Sequence, residues 1–353
     1  MRIEYFAFIL PHIGDKFSQC ADRFSCGETN QCFAIADGVG NSLFPGDWAQ
    51  LLCNDYIEHP TLFSDNTHLH REDELILKWE EQRNKRIANL SDEEKFIYEM
   101  GLDKADFAAS TFVGLSFDIK HWSCQAIGDS YLFLVDQDFN ILQKVASMDG
   151  HDFDNFPEYF ASKKGQNNGT IVNCSGDYKG IAYFALMTDA LSDWFIEAPP
   201  EKRKELLNIH SHSEFEAFID QERQMMALKD DDTTMLILKV ENDGSDNLTF
   251  YSNLDRLDNI DFLIQDEKKA KDKKETSLVE KDDNENPSPN NSIEEPNSPK
   301  HSDSKRIVKA QSIDKEIQEI KREYKNYNNL QLKNCIKKLI KIIEKLLLYG
   351  TSN

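Results

Sequence analysis

The chain has 353 residues, with 41 lysines and arginines against 63 aspartates and glutamates, a formal charge of −22. That length suits one large domain with an appendage, or two domains, and is ample for a core. So acidic a chain repels phosphate backbones, which excludes non-specific nucleic-acid binding as its main activity, and no nucleic-acid partner is expected.

The opening apolar stretch is interrupted by Glu4 and ended by Pro11, too short for an export signal, and it reads as a strand over Arg2–Leu10. Further strands are predicted at Gln31–Ala36, Ser110–Asp118, Trp122–Ile127, Tyr131–Asp136, Gly180–Met187 and Thr233–Val240. A last strand around Leu248–Ser252 is placed to close the sheet. Helical patterns fill Trp48–Ile57, Arg71–Glu99, Glu201–Ile209 and Ser213–Met226. Strands in meanders with helices in separate blocks argue for α+β architecture. No window is long and apolar enough to span a bilayer. The seven cysteines include the evenly spaced Cys20, Cys26 and Cys32 but no CxxC pair. With no export signal they read as reduced thiols of a cytoplasmic protein.

The text changes after residue 252. Residues 1–252 read as the globular domain and 253–310 as a charged linker, which holds four of the ten prolines. Such a stretch cannot bury enough apolar surface to offset its ordering entropy, so disorder is expected there. Over 311–350, Ser312 is a candidate N-cap, and Ile313, Ile317, Ile320, Tyr324 and Tyr327 form one apolar stripe. A second helix, Leu330–Tyr349, interleaves lysines with Ile336, Leu339, Ile340 and Ile343 before Gly350. This amphipathic helical appendage suits self-association, a partner protein or an anionic membrane surface.

The informative residues are aspartates placed where apolar strands stop. Phe33-Ala34-Ile35-Ala36 runs into Asp37-Gly38, and Ala126-Ile127-Gly128 into Asp129. Tyr183–Met187 runs into Thr188-Asp189, and Asp230-Asp231-Asp232 precedes the strand at Thr233. Aspartate after a strand is also ordinary turn chemistry. Several such ends converging would make an oxygen-rich negative cleft, and hard divalent cations relieve that repulsion.

The letters around these aspartates resemble the metal-dependent protein phosphatases of the 2C type, in its bacterial-like form. Ala36-Asp37-Gly38-Val39-Gly40-Asn41 with Pro45-Gly46-Asp47-Trp48-Ala49 resembles DGxGG…GexA, and Cys20-Ala21-Asp22-Arg23 the element upstream of it. Ala109-Ser110-Thr111 with Ala126-Ile127-Gly128-Asp129-Ser130 resembles GST…VGDS. Thr188–Asp193 resembles SDGLWD, and Asp231-Asp232-Thr233-Thr234 the closing D-D/N-x-T. The five elements stand in family order and span Asp22 to Val240.

The resemblance implies a four-layer αββα sandwich, two antiparallel sheets flanked by helices, with a binuclear Mn²⁺ or Mg²⁺ centre at one end. Asp37 would bridge both ions, the Gly38 carbonyl would bind one, and Asp189 and Asp231 would complete the other. Asp22 would face the cluster through water, and Asp129 and Asp193 match positions that hold a weaker third ion. Asp22, Asp37, Asp189 and Asp231 are thus the expected catalytic set. The implied reaction is in-line attack on phosphoserine or phosphothreonine by a water bridging the two ions. The implied partners are a phosphoprotein substrate and a cognate serine/threonine kinase, in a signalling role.

The departures point to an alternative. Ala190 stands where the family has glycine, Asn41 replaces the second glycine of GG, and Val39 stands where many eukaryotic members carry histidine. The phosphate-binding arginine upstream of the first aspartate is missing, and Lys16 or Arg23 is the substitute. A pseudophosphatase serving as a metal- or partner-binding scaffold is the second reading. The intact aspartates favour the enzyme, because metal ligation carries the chemistry.

Overall fold

Along the first strand the side chains alternate between two interiors. In the computed structural model, which describes residues 1–40, 42–60, 69–91, 95, 106–150, 156–241, 247–252, 263–266 and 269, β1 (Arg2–Leu10) sends Ile3, Tyr5, Ala7 and Ile9 one way. Phe6, Phe8 and Leu10 point the other way. That period of two is the signature of a strand buried on both faces.

β2 (Arg23–Gly27), β3 (Cys32–Ala36), β5 (Phe112–Phe117), β6 (Trp122–Ile127) and β10 (Val172–Gly176) form one antiparallel sheet in the order β10-β6-β5-β3-β2. A second sheet joins β1 with β7 (Tyr131–Val135), β8 (Ile141–Val145), β11 (Tyr183–Met187), β12 (Thr233–Glu241) and β13 (Thr249–Tyr251) in the order β13-β1-β12-β11-β7-β8. β4 (Ala109–Ser110) pairs with β9 (Phe160–Ala161) as a separate ribbon. The expectation of purely antiparallel sheets needs one correction. β13 runs parallel to β1, because it pairs with the edge of β1 opposite β12 and runs against the direction of β12.

Three apolar cores follow from the alternation. Phe24, Phe33, Leu115 and Trp122 of the five-stranded sheet join the inward face of β1 and Phe184, Leu186 and Leu236 in the first core. The opposite face of the six-stranded sheet packs with α3 (Asp189–Glu197), α4 (Pro200–Leu207) and α5 (His212–Gln224) through Leu191, Phe195, Leu206 and Phe215. The outer face of β3 packs with α1 (Pro45–Glu58) and α2 (Leu69–Ala88) through Trp48, Leu52, Tyr56 and Trp79. Each fully buried side chain of this size contributes roughly 1.5–3 kcal/mol relative to exposure.

The predicted strands at Arg2–Leu10 and Trp122–Ile127 keep their limits. β2, β8 and β10, which were not predicted, are short; β8 and β10 carry partly exposed polar residues that weaken the apolar signal, and in β2 the buried Arg23 and Ser25 interrupt it. The segment after β11, read as a turn, is helix α3 from Asp189 onward. Asp189 in the first turn favours the helix dipole, and Ala190 needs no left-handed conformation there. The helix predicted to Glu99 ends at Ala88. Leu263, beyond residue 252, is 8 % exposed and belongs to the first core. Met1–Asp282 forms one compact unit, and the second unit, Asp283–Asn353, lies outside the described residues. The predicted 311–350 helices therefore lie outside them too. Among the described residues no helix is long and apolar enough to cross a membrane.

Candidate metal centre

Strand ends from both sheets meet at one cleft of about 560 Å³. Asp37 and Gly38 follow β3 and Asp129 follows β6, all from the five-stranded sheet. Asp189 follows β11 and Asp231 precedes β12, both from the six-stranded sheet. A strand end is a rigid mount, so these carboxylates are aimed by the sheets rather than by free loops.

The Asp37–Gly38 turn is held on all sides. The Asp37 carbonyl accepts from Thr111 N at 2.8 Å and from Ser110 Oγ at 2.7 Å. Asp37 N donates to Thr111 Oγ1 at 3.3 Å, and Thr111 Oγ1 also contacts Ser130 Oγ at 2.7 Å. A Cβ on Gly38 would lie 2.7 Å from Pro45 Cβ and 3.0 Å from the Ala21 carbonyl oxygen. Only glycine lets the backbone lie this close to the cleft wall. Gly128 has φ +96°, and its Cβ would meet Thr111 at 2.6 Å, so the Asp129 turn is equally specific.

Behind the cleft, Asp22 is fully buried. Its Oδ2 accepts from Thr188 Oγ1 at 2.9 Å, and the same hydroxyl accepts from Thr234 N at 2.9 Å. Its Oδ1 has no hydrogen-bond partner among the described residues. Burial pushes the Asp22 carboxyl well up, the Asp232 charge adds to that, and the Thr188 and Thr234 hydroxyls oppose it. Burial likewise raises Asp37, reinforced by Asp22, Asp189, Asp129 and Asp231. Asp189 is raised by burial and by Asp231, against the pull of Lys229. A buried carboxylate oxygen without a donor and a turn that a Cβ would close both fit a hard cation, and the donor set is oxygen throughout. Among the described residues no three aspartate, glutamate, histidine or cysteine side chains stand in a ready-made shell.

The three consecutive aspartates before β12 do different work. Asp230 accepts from Ile13 N at 2.9 Å and pairs with His12 Nε2 at 3.1 Å. Asp232 accepts from His12 N at 2.9 Å and from Ala21 N at 2.6 Å, tying β12 to the loop before β2. Asp231 and Asp232 both line the cleft, and there Lys229 Nζ lies 2.9 Å from Asp231 Oδ2 and 3.3 Å from Asp189 Oδ2. Burial pulls the Lys229 ammonium pKa down, but Asp189 and Asp231 outweigh it and push it up.

Asp193 sits one turn beyond Asp189 on α3, exposed and outside the cleft lining. Burial and then Glu197 raise its carboxyl, and Lys229 lowers it. Arg23 does not line the cleft either. Its guanidinium donates to the carbonyls of Cys20 at 2.8 Å and Asp22 at 2.6 Å, and it packs against Gly46. Lys16 is exposed and apart from the lining. The six described cysteines are free thiols, and none lines the cleft. His212 contacts the Ile9 carbonyl through Nε2 at 2.9 Å.

Sequence reasoning missed Lys229 and Thr188. Lys229 carried one signal, as the lone cation beside a run of three aspartates. Thr188 carried none, because its work is a contact with a residue 166 positions away.

No protein-family model matches the chain, and no curated protein sequence matches it. Solved structures do. The chain is similar to serine/threonine phosphatase Stp1 from Staphylococcus aureus at 14 % identity and a TM-score of 0.45, over 68 % of this chain and 96 % of that one. It is similar to a bacterial serine phosphatase at 14 % identity and TM-score 0.44, over 68 % and 99 %. It is also similar to the catalytic domain of serine threonine protein phosphatase PstP in complex with two manganese ions, at 16 % identity and TM-score 0.43, over 68 % and 99 %. At these identities and TM-scores the likenesses assign no activity.

Proposed function

We propose that the protein is a metal-dependent phosphatase acting on phosphoserine and phosphothreonine in proteins, with Mn²⁺ or Mg²⁺ held at the cleft. One observation carries this. Asp37, Asp129, Asp189 and Asp231 come from the ends of two different sheets and line one cleft, whose floor turn admits only glycine at residue 38. Such a site is unstable from mutual repulsion unless cations are supplied.

Asp37 and the Gly38 carbonyl would hold one ion, and Asp37 with Asp189 and Asp231 the second of the pair that the sequence motifs imply. Asp129 and Asp193 are the donors for a weaker third. Bound there, the cations would activate a water as nucleophile and offset charge on the phosphoryl oxygens. The chain's own part is placement. Thr111 and Ser110 fix Asp37, and Thr188 fixes Asp22 behind the cleft through its Oδ2. Lys16 and Arg23 are the basic groups nearest in sequence to the missing phosphate-binding arginine, and Lys229 is the one cation that lines the cleft among the described residues.

The same reading takes the two sheets as the middle layers of an αββα sandwich, with the helices outside. It places catalysis in residues 1–252 with the Leu263 contact, 253–310 as linker, and 311–350 as the segment for self-association, a partner or an anionic membrane surface. A phosphoprotein substrate, a cognate kinase and a cytoplasmic setting complete it.

The test is hydrolysis of p-nitrophenyl phosphate and a phosphothreonine peptide with Mn²⁺, abolished by EDTA. Asp37→Asn and Asp189→Asn are each expected to cut turnover by orders of magnitude, because each removes a charge from the metal shell. The scaffold reading has one observation in its favour, the Lys229 ammonium lodged between two expected ligands. A wild-type protein inert with Mn²⁺ and Mg²⁺ from neutral to alkaline pH would establish that reading instead.

A further inference from the structure

Lys229 stands in a place that the proposed chemistry reserves for an ion. Its Nζ lies 2.9 Å from Asp231 Oδ2 and 3.3 Å from Asp189 Oδ2, and all three residues line the same cleft. The two carboxylates arrive from different elements, the first turn of α3 and the lead into β12. Nothing in the local sequence requires them to share a cation.

An ammonium and a divalent ion cannot occupy that gap together. Mg²⁺ needs oxygens at about 2.0–2.1 Å, far closer than the N–O spacing of an ion pair, and it brings two charges of the same sign as Lys229. The tether also keeps the ammonium at an effective concentration on the order of millimolar or above, so it competes without any free ligand.

We propose that Lys229 is a built-in counter-cation that holds the Asp189/Asp231 position against a divalent ion, so that the wild-type protein takes one tightly bound ion fewer than its carboxylates allow. This rests on the reading of Asp189 and Asp231 as cation ligands. Ions would enter first at Asp37 and Gly38. The second position would fill only when Lys229 swings towards solvent, a movement its 43 % side-chain exposure permits.

The test counts ions on the full-length protein, with turnover read separately. Mn²⁺ binding is measured by calorimetry and by electron paramagnetic resonance of free Mn²⁺ for the wild type, Lys229→Met and Lys229→Arg. Lys229→Met keeps the aliphatic stem and removes the charge. It is expected to bind one additional Mn²⁺, or to bind the second at least tenfold more tightly, while Lys229→Arg behaves as wild type. Adding Asp231→Asn to Lys229→Met should abolish the gain. Should Lys229→Met fail to fold, Lys229→Gln takes its place, and thermal unfolding in EDTA and in Mn²⁺ reads the same effect as a larger Mn²⁺-induced shift than in wild type.

Equal ion counts and affinities in wild type and the neutral variants overturn the proposal. An ion gained by Lys229→Met with no hydrolysis by either protein supports the role of Lys229 and overturns the phosphatase reading. Hydrolysis by wild type with an unchanged ion count does the reverse.

Discussion

Thr188→Val removes one hydroxyl and nearly nothing else, since the two side chains share a shape. Thr188 is fully buried, and its Oγ1 does two jobs: it donates to Asp22 Oδ2 at 2.9 Å and accepts from Thr234 N at 2.9 Å. Asp22 and Thr234 are themselves fully buried, so water cannot replace either bond. A hydrogen bond to a charged group is worth about 1.5–3 kcal/mol, and a buried orphan N–H costs about 1–3 kcal/mol. The sum, about 2.5–6 kcal/mol, is a large share of the roughly 5–15 kcal/mol by which a domain is stable. For a unit of this size it lowers the melting temperature by about 5–24 °C. Thermal unfolding by circular dichroism at neutral pH measures the shift, and Thr188→Ser, which keeps the hydroxyl, should lose far less. A double-mutant cycle with Asp22→Asn isolates the pair and should return a coupling of about 1.5 kcal/mol or more. A shift below about 3 °C for Thr188→Val, or equal losses for the valine and serine variants, would refute the claim that this hydroxyl anchors Asp22.

Two further outcomes follow from the same cleft. Asp22, Asp37 and Asp189 all have folded pKa values raised above the ordinary 3.8. The folded state therefore binds more protons than the unfolded chain between 3.8 and those higher values, so stability falls as pH rises through that window and stays low above it. In EDTA the urea midpoint should thus be higher near about pH 5 than near about pH 8, and Asp37→Asn should flatten the difference. A midpoint that rises with pH in EDTA would contradict the assigned shifts. Gly38→Ala places a Cβ 2.7 Å from Pro45 Cβ and should cost about 1–3 kcal/mol through overpacking while weakening Mn²⁺ binding. Unchanged unfolding and unchanged Mn²⁺ affinity in that variant would show that the turn has slack.

Much of the site is legible in the letters because its parts are local. A buried strand needs a run of apolar residues, and the chain must turn where the run stops. Asp37, Asp129 and Asp189 therefore announce themselves by position. The strand limits of β1 and β6 follow for the same reason, as alternation and flanking polar residues are read from neighbours in sequence. Short, partly exposed strands such as β8 and β10 lack that contrast, and they form because a sheet edge is already there to pair with.

Other features exist only once the chain is folded. The sequence sets three aspartates before β12, and only the resemblance of Asp231-Asp232-Thr233-Thr234 to a motif singles out Asp231. Asp230 and Asp232 both accept from backbone N–H groups more than two hundred positions away, and Asp231, which shares the cleft lining with Asp232, faces Lys229 instead. Ala190 reads as a misfit in a glycine turn and becomes an ordinary helical residue once Asp189 opens α3. Lys229, unremarked in the sequence, ends between two carboxylates that lie 40 positions or less from it along the chain but belong to different elements. Composition, period and turn chemistry act between neighbours, so the sequence by itself determined the strands and the aspartates that end them. Which carboxylates share a cation is settled by Coulomb forces over a few ångströms, and only the packing of the two sheets sets those distances.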